Sequence, residues 1–582
     1  MKKSFVLFVF AALFFITFLP VYSKDSSRDD FYITLSDFYE SALEKQPCKW
    51  RDVRIEYKNY KCPVRIFIEQ LEEDMDCLCY LLETAYAGYS DAVSRGLDLE
   101  KLKERAKEKF STDEYDYNGI TPVQFVDFLR NELEIKIRDT HFSIRAGDYY
   151  CWLCGHQNVF YSDIYVKKDD RGVYKVCKIF EDGKSVQSYT DKFTTYHDLL
   201  LFKHSVSPLP DFDPFQPAAP ELLEHPFETI KIGSVYSGAP GNLFYYPVLG
   251  ENVYRVGVMT AEHTNYLCTQ FDSKEITLPV KTEVPIDRRQ TLRLGEKSTA
   301  FSAYLSLSHF SSPGVDSNYR AGTDRQFSRF MDSGFYYQNK QNVILDLRSN
   351  PGGNSNIGLK FLASLYIPGN VTNYEGGYNR SFSVLEKYLM QYNENCISVF
   401  SPAVSQAFYC YCHEFEKDKK SISLYKKMMT QQKKNPQLLV TPLMHQTKYD
   451  RENKARFSNS PAFAGKLIII LDRHNCSASE ETVKNAKLLF GDQVIIVGEN
   501  SGGCITYGNV FNYALPNSNL IVSISAANLS SSYSNFSNWH GEGFGIYPDV
   551  WTTGEDLLKT LILLTGDNAL EEKIQYIERA LQ

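Results

Sequence analysis

Three short apolar runs constrain this chain most, because each is closed by a turn rich in small and polar residues. Val343 to Leu347 overlaps Asp346-Leu-Arg-Ser-Asn-Pro-Gly352-Gly353, and a helical pattern follows over Asn356–Tyr366. Leu467 to Leu471 ends in Asp472-Arg-His-Asn-Cys-Ser477, and a second helical pattern follows over Ala478–Phe490. Val494 to Val497 ends in Gly498-Glu-Asn-Ser-Gly-Gly503. Continuous apolar runs are what strands buried on both faces require. Strands alternating with helices pair in parallel through crossovers. The spacing therefore predicts an α/β domain over about 291–582, interrupted by a Lys-rich helical insertion near 395–455.

The rest of the chain has a different character. Its 582 residues exceed one core, since domains usually hold about 100–200 residues. Residues 24–141 carry apolar positions at helical spacing, over Ile66–Tyr89, Leu97–Phe110 and Thr121–Ile137. Residues 142–290 change to short strand-like runs such as Gly172–Ile179, Val253–Met259 and 275–281, with a Pro-rich linker or loop at 207–220. A helical N-terminal region and a β-rich middle domain are thus expected before the α/β domain.

Composition excludes some function classes. The net charge of -8, with no long basic run, argues against a nucleic-acid partner. Lys2 and Lys3 precede an apolar run from Phe5 to Leu19 and then Val21-Tyr-Ser23, the pattern of a signal peptide over 1–23 cleaved before Lys24. That predicts export to a periplasm or beyond the cell, with no membrane span after cleavage. The apolar run is also compatible with an uncleaved anchor. In an exported chain the 13 cysteines permit disulfides, and Cys77/Cys79, Cys151/Cys154 and Cys410/Cys412 read as structural thiols or local bridges. Cys151-Trp-Leu-Cys154 has no second such pair to complete a zinc site, and neither a metal nor another cofactor is expected.

Chemistry concentrates at the three turns. Ser477 stands between a buried strand and a helix start, where a hydroxyl is exposed beside backbone N–H groups that can stabilise an oxyanion. Ser477-x-x-Glu480 also fits a helix-capping box, and Ser479 is a rival nucleophile inside the first turn. Gly352-Gly353 lets the backbone approach a ligand closely. A neutral serine needs a base, and histidine fits neutral pH. Among the 11 histidines, His309, His474 and His540 lie near these motifs.

Asp346-Leu-Arg-x-Asn-x-Gly-Gly, Ser477-Ala-Ser-Glu and Gly498-Glu together resemble the tail-specific, or C-terminal processing, serine peptidases, which include the tricorn core protease and retinoid-binding relatives. The resemblance spans roughly 298–395 and 462–560 and implies a crotonase-like spiral for the α/β domain. One branch of that family uses a Ser–Lys dyad, yet the loop Ser501-Gly-Gly-Cys504 holds no Lys, and Lys484 and Lys487 read as a solvated helix face. The other branch resembles tricorn. By that likeness Asp139-Thr140-His141 supplies the base His141 with the Thr140 hydroxyl, and Glu542-Gly-Phe-Gly-Ile-Tyr-Pro-Asp supplies the orienting Glu542. Gly353 and Ala478 would hold the oxyanion, with Gly352 needed for the turn. The family often carries a PDZ-type domain in the middle, but no Gly-Leu-Gly-Phe loop occurs over 142–290. The expected activity is peptide-bond hydrolysis by a serine endopeptidase through an acyl-enzyme, with peptide or protein substrates and oligomerisation left open. The alternative is a non-catalytic binding protein on the same fold, like the retinoid-binding relatives.

Overall fold

The computed structural model describes residues 61–154, 295–310, 323–368, Tyr409, 419–434, 461–533, 536–552 and 554–573. As backbone it also describes strands between 158 and 281 and a short strand Val399–Phe400. The signal-peptide segment, the 207–220 stretch and Cys410/Cys412 lie outside the described residues. Among the described residues no helix is long and apolar enough to cross a membrane.

The elements that matter here, in chain order, begin with α1 (Ile68–Thr84), α2 (Leu99–Phe110), α3 (Pro122–Leu133), β1 (Ser143–Ala146) and β2 (Tyr149–Trp152). There follow β3 (Gly295–Ser298), β4 (Ser302–Ser306), α4 (Thr323–Tyr337), β5 (Asn342–Asp346), α5 (Ser355–Tyr366) and α6 (Lys419–Lys434). Last come β6 (Lys466–Leu471), α7 (Ala478–Phe490), β7 (Val494–Gly498), β8 (Tyr507–Ala514), β9 (Ile521–Asn528), β10 (Val550–Trp551) and α8 (Gly554–Thr565). The chain divides into two compact units. One gathers 1–155, 387–456 and 504–536; the other gathers 156–386, 457–503 and 537–582.

In the first unit, sequence-local signals set the helix ends. Thr121 and Gln124 form a reciprocal capping box ahead of Pro122, and the Asp98 carboxylate accepts the Lys101 N–H at 3.1 Å. The helices bury Leu78, Phe110, Phe125 and Leu129 in a core shared with Ile144, Tyr513 and Val522 of an antiparallel sheet. In that sheet β1 pairs with both β2 and β9, and Ser143 faces Ser523. The hairpin that opens the expected middle region is therefore knitted to a strand near the C-terminus. Each large apolar side chain buried here contributes about 1.5–3 kcal/mol.

In the second unit the strands between Asn158 and Lys281 form an antiparallel sheet, with Tyr174–Glu181, Tyr254–Thr260 and Lys274–Lys281 close to the three expected runs. A separate six-stranded sheet has the order β3-β4-β5-β6-β7-β10. Its first pair is antiparallel and every later pair is parallel. On one face α8 lays Leu557 and Leu561 over Tyr304, Ile344, Ile468 and Val497. The crossover helices α4, α5 and α7 pack on one another: a Cβ on Gly334 would strike Ser364, and one on Gly358 would strike Thr482. Because β5, β6 and β7 run parallel, their three following loops emerge at the same sheet edge. Mixed α/β architecture is what the alternation of apolar runs and helical patterns required.

Candidate active site

The first loop leaves β5 with Asp346 fully buried. Arg348 grips that carboxylate with Nε at 3.0 Å and Nη2 at 2.8 Å, and the Tyr304 hydroxyl donates to it as well. This motif acid thus fixes the turn, and its lone pairs are committed to that task. Beyond it, the Gly352 N–H donates to Asn350 Oδ1 at 2.9 Å. Phe310 then bridges to Gly353 by donating to the Gly352 carbonyl and accepting from Asn354. Such a parallel bridge uses the groups on either side of Gly353 and leaves the Gly353 N–H outside the ladder.

The second loop places Ser477 directly against the first. A Cβ added to Gly352 would lie 2.5 Å from the Cys476 carbonyl oxygen, 2.8 Å from the Ala478 nitrogen and 2.9 Å from Ser477 Cβ. Only glycine fits there, and its φ of 91° also favours glycine. Ser477 itself has φ 55° and ψ −120°. An L-residue in such a conformation costs on the order of 1–3 kcal/mol, and it persists only where its surroundings over-determine it. The same strand-to-helix strain presents a nucleophilic serine in other α/β folds.

Many bonds over-determine this turn. The Asp472 carboxylate accepts the Ser349 N–H at 2.9 Å, Asn475 Nδ2 donates to the Leu347 carbonyl, and the Cys476 N–H donates to the Asn350 carbonyl at 3.2 Å. Ser477 is half-buried, whereas Ser479 is fully buried and its hydroxyl donates to the Asn350 carbonyl at 2.9 Å. Ser479 is thereby a structural hydroxyl. The Ala478 N–H opens α7, where first-turn N–H groups have no partner inside the helix.

Glu480 carries the capping contact that the sequence offered: its carboxylate reaches back to the Ser477 N–H at 3.0 Å. The same side chain, at 0% exposure, accepts the Ser501 hydroxyl and the Gly503 N–H of the third loop, the latter at 2.8 Å. The Gly502 N–H donates to the Asn475 carbonyl at 2.7 Å, so the third loop is tied to the second twice over. Gly503, with φ 73°, then nests against Gly543, Phe544 and Gly545, whose nitrogens would lie 2.5–2.8 Å from an added Cβ. Ser501 Oγ also accepts the Ile546 N–H at 2.6 Å, and Asn500 Nδ2 donates to the Phe544 carbonyl at 3.0 Å. Glu542, half-buried, therefore belongs to a turn held by the third loop.

Ser477, Ala478, Gly352 and Gly353 lie together, with the Glu542 turn on the third loop of the same unit. Thr140 and His141 belong to the first unit, in the turn between α3 and β1. There the fully buried Asp139 carboxylate accepts the His141 N–H at 2.8 Å, and its carbonyl accepts the Phe142 N–H at 3.1 Å. Thr140 is 3% exposed and His141 half-buried. Of the rival histidines, His540 stacks on Tyr547 with ring centres 3.6 Å apart, and desolvation lowers its pKa. The His474 backbone N–H donates to Asp472 at 3.0 Å.

The solvated face expected for Lys484 and Lys487 is corrected by the fold. Lys484 is 5% exposed, and Lys487 pairs with Asp549 at 2.8 Å. Helix α7 is covered on more sides than its charges advertise, because α5 packs along it and Asp549 returns to it from the C-terminal segment. Cys79 and Cys151 are unbridged thiols, so neither close pair containing them forms a local bridge. Sequence reasoning missed Glu480 and Ser501 as structural ties. The available signal was Ser-Ala-Ser-Glu read beyond its capping role.

Residues 302–552 match the model of peptidase family S41. No curated protein sequence matches the chain. Among solved structures, mature CPAF is 13% identical, with 83% of this chain and 92% of that chain covered at a TM-score of 0.35. The photosystem II D1 C-terminal processing protease is 13% identical, with 87% and 99% covered at 0.32. The tricorn protease is 12% identical, with 88% and 37% covered at 0.28. Likenesses this loose carry no weight for the site, and the assignment stands on the family match, which encloses all three loops and the Glu542 turn. Over residues 302–552 the chain is similar to peptidase family S41.

Proposed function

We propose that the chain is an exported serine endopeptidase that hydrolyses peptide bonds in peptide or protein substrates through an acyl-enzyme. The observation that carries this reading is the left-handed backbone of Ser477, held against Gly352 at the end of a parallel strand. Strain at a half-buried serine is what a presented nucleophile requires and what a cap does not.

Ser477 Oγ attacks the scissile carbonyl carbon while a base removes its proton. The carbonyl oxygen becomes an oxyanion, for which the Gly353 and Ala478 N–H groups, both outside regular hydrogen-bond ladders, are the donors. Collapse expels the amine, protonated by the base, and water repeats the sequence on the acyl-enzyme. His141 is the base, Glu542 its orienter and Thr140 the accompanying hydroxyl. These three roles rest on residue chemistry and on the tricorn-like resemblance. The parallel strand order and the mutual packing of α4, α5 and α7 favour the crotonase-like spiral as the setting. The pattern of residues 1–23 favours export.

The test is active-site labelling with a fluorophosphonate, mapped by mass spectrometry, beside turnover of a peptide library. Labelling at Ser477, lost in Ser477→Ala, is expected. A label on Ser479 would overturn the assignment, and a wild-type protein that neither labels nor turns over peptides would favour a binding protein on this fold.

A further inference from the structure

The third loop and the Ser477 turn share one buried carboxylate, and nothing in the mechanism above uses it. Glu480 is 0% exposed. One oxygen accepts the Ser477 N–H at 3.0 Å; the other accepts the Ser501 hydroxyl and the Gly503 N–H at 2.8 Å. All three partners are donors, so the site is built for an acceptor on both oxygens. Ser501, whose hydroxyl donates a hydrogen bond to Glu480, turns its lone pairs to the Ile546 N–H at 2.6 Å, four residues after Glu542. Gly503 meanwhile receives the Gly543 N–H on its carbonyl at 2.9 Å. A chain of directional bonds thus runs from the strained serine, through Glu480 and Ser501, into the turn that carries Glu542.

We infer that Glu480 is a positioning residue for the proposed hydrolysis, setting the backbone of Ser477 and the place of the Glu542 turn from one carboxylate. An ordinary capping box satisfies N–H groups of its own helix. Glu480 instead spends one oxygen on a different loop, where a cap has no business. A strained φ survives only under such over-determination. Losing one anchor lets the turn relax toward ordinary backbone, and a displacement near 1 Å at a nucleophile costs about a hundredfold in rate.

The inference rests on Ser477 being the nucleophile, and the experiment separates the two. Glu480→Gln keeps the shape but turns one acceptor into an NH₂ donor facing a donor. Turnover, fluorophosphonate labelling rate and thermal melting are measured on the full chain. The expected result is kcat lowered roughly a hundredfold with KM within about twofold, and a parallel fall in labelling rate, in protein that still melts cooperatively. Glu480→Asp, which keeps the charge on a shorter arm, should recover part of that rate. Should Glu480→Gln not fold, Ser501→Ala carries the test, with an expected fall in kcat of about tenfold at constant KM. Wild-type protein that labels while Glu480→Gln and Ser501→Ala label at its rate overturns the positioning role alone. Wild-type protein that does not label overturns the nucleophile assignment and this inference with it.

Discussion

The Ser477 turn and the His141 turn are built in opposite ways. Ser477 has a left-handed φ and a glycine pressed against it, and its turn is bonded to the loop after β5 through Asp472 and to the loop after β7 through Glu480. In the His141 turn neither Thr140 nor His141 has a positive φ, and the Asp139 carboxylate accepts the backbone N–H of His141 two residues on. The first turn is held by the tertiary structure against its own preference. The second carries the bond typical of a short Asp-containing turn, in which the Asp side chain bonds the backbone two residues on. The role proposed for Ser477, a nucleophile, must be presented and is worth straining, whereas the role proposed for His141, a base, needs only orientation.

The largest effects should test whether both turns serve one reaction. Ser477→Ala and His141→Ala should each lower turnover roughly 10⁴-fold or more, and the double variant should be scarcely worse than either, because parts of one unit are not additive. Glu542→Gln should cost less. Wild-type activity should rise through pH of about 6–7, as a histidine base requires. Near-wild-type turnover in His141→Ala would break the pairing and direct attention to His474.

Next in size is Gly352→Ala. The new methyl would meet the Cys476 carbonyl, the Ala478 N–H and Ser477 itself at a φ of 91°. Labelling should fall sharply and stability by about 1–3 kcal/mol, read by urea unfolding. If both stay at wild-type values, the crowding at Ser477 is not what holds it.

Smaller again is a contrast in stability alone. Ser477→Gly should relieve strain and raise stability by about 1 kcal/mol while abolishing turnover. His141→Gly should lower stability, because glycine only adds unfolded-state freedom where φ is ordinary. Equal shifts in the two variants would erase the distinction between the turns.

The smallest expected effect concerns Cys79, on α1 of the first unit. Burial pushes its thiol from 9.0 up to about 12. The folded chain therefore holds a proton that the unfolded chain releases above about 9. This contribution is fully present below that pH and is lost as pH rises toward 12. Cys79→Ala should flatten the alkaline limb of a stability–pH curve, and alkylation of native Cys79 at pH 8 should be far slower than in urea.

Much of this was legible in the chain itself. The runs at 343–347, 467–471 and 494–497 became β5, β6 and β7, and Ala478–Phe490 became α7. Burial on both faces leaves a continuous apolar signature, and helix starts are written in Thr121, Asp98 and the Ser-Ala-Ser-Glu run. Ser477 was legible as a candidate for the same local reason. The lysines on α7 were misjudged because charge pattern cannot reveal that Asp549 returns from a distant segment to pair with Lys487.

The sequence by itself determined the alternation of strands and helices, the glycine turns at their ends and the residue types available for acyl transfer. All of these depend on neighbours within one or two helical turns. Only the tertiary structure decided that β1 pairs with β9, that Gly352 presses on Ser477, and that Glu480 serves two loops at once. Those contacts join residues far apart in the chain. Their energy is collected only after the parallel sheet has aligned its strand ends, and an unstrained serine turn is the local alternative that the sheet overrules.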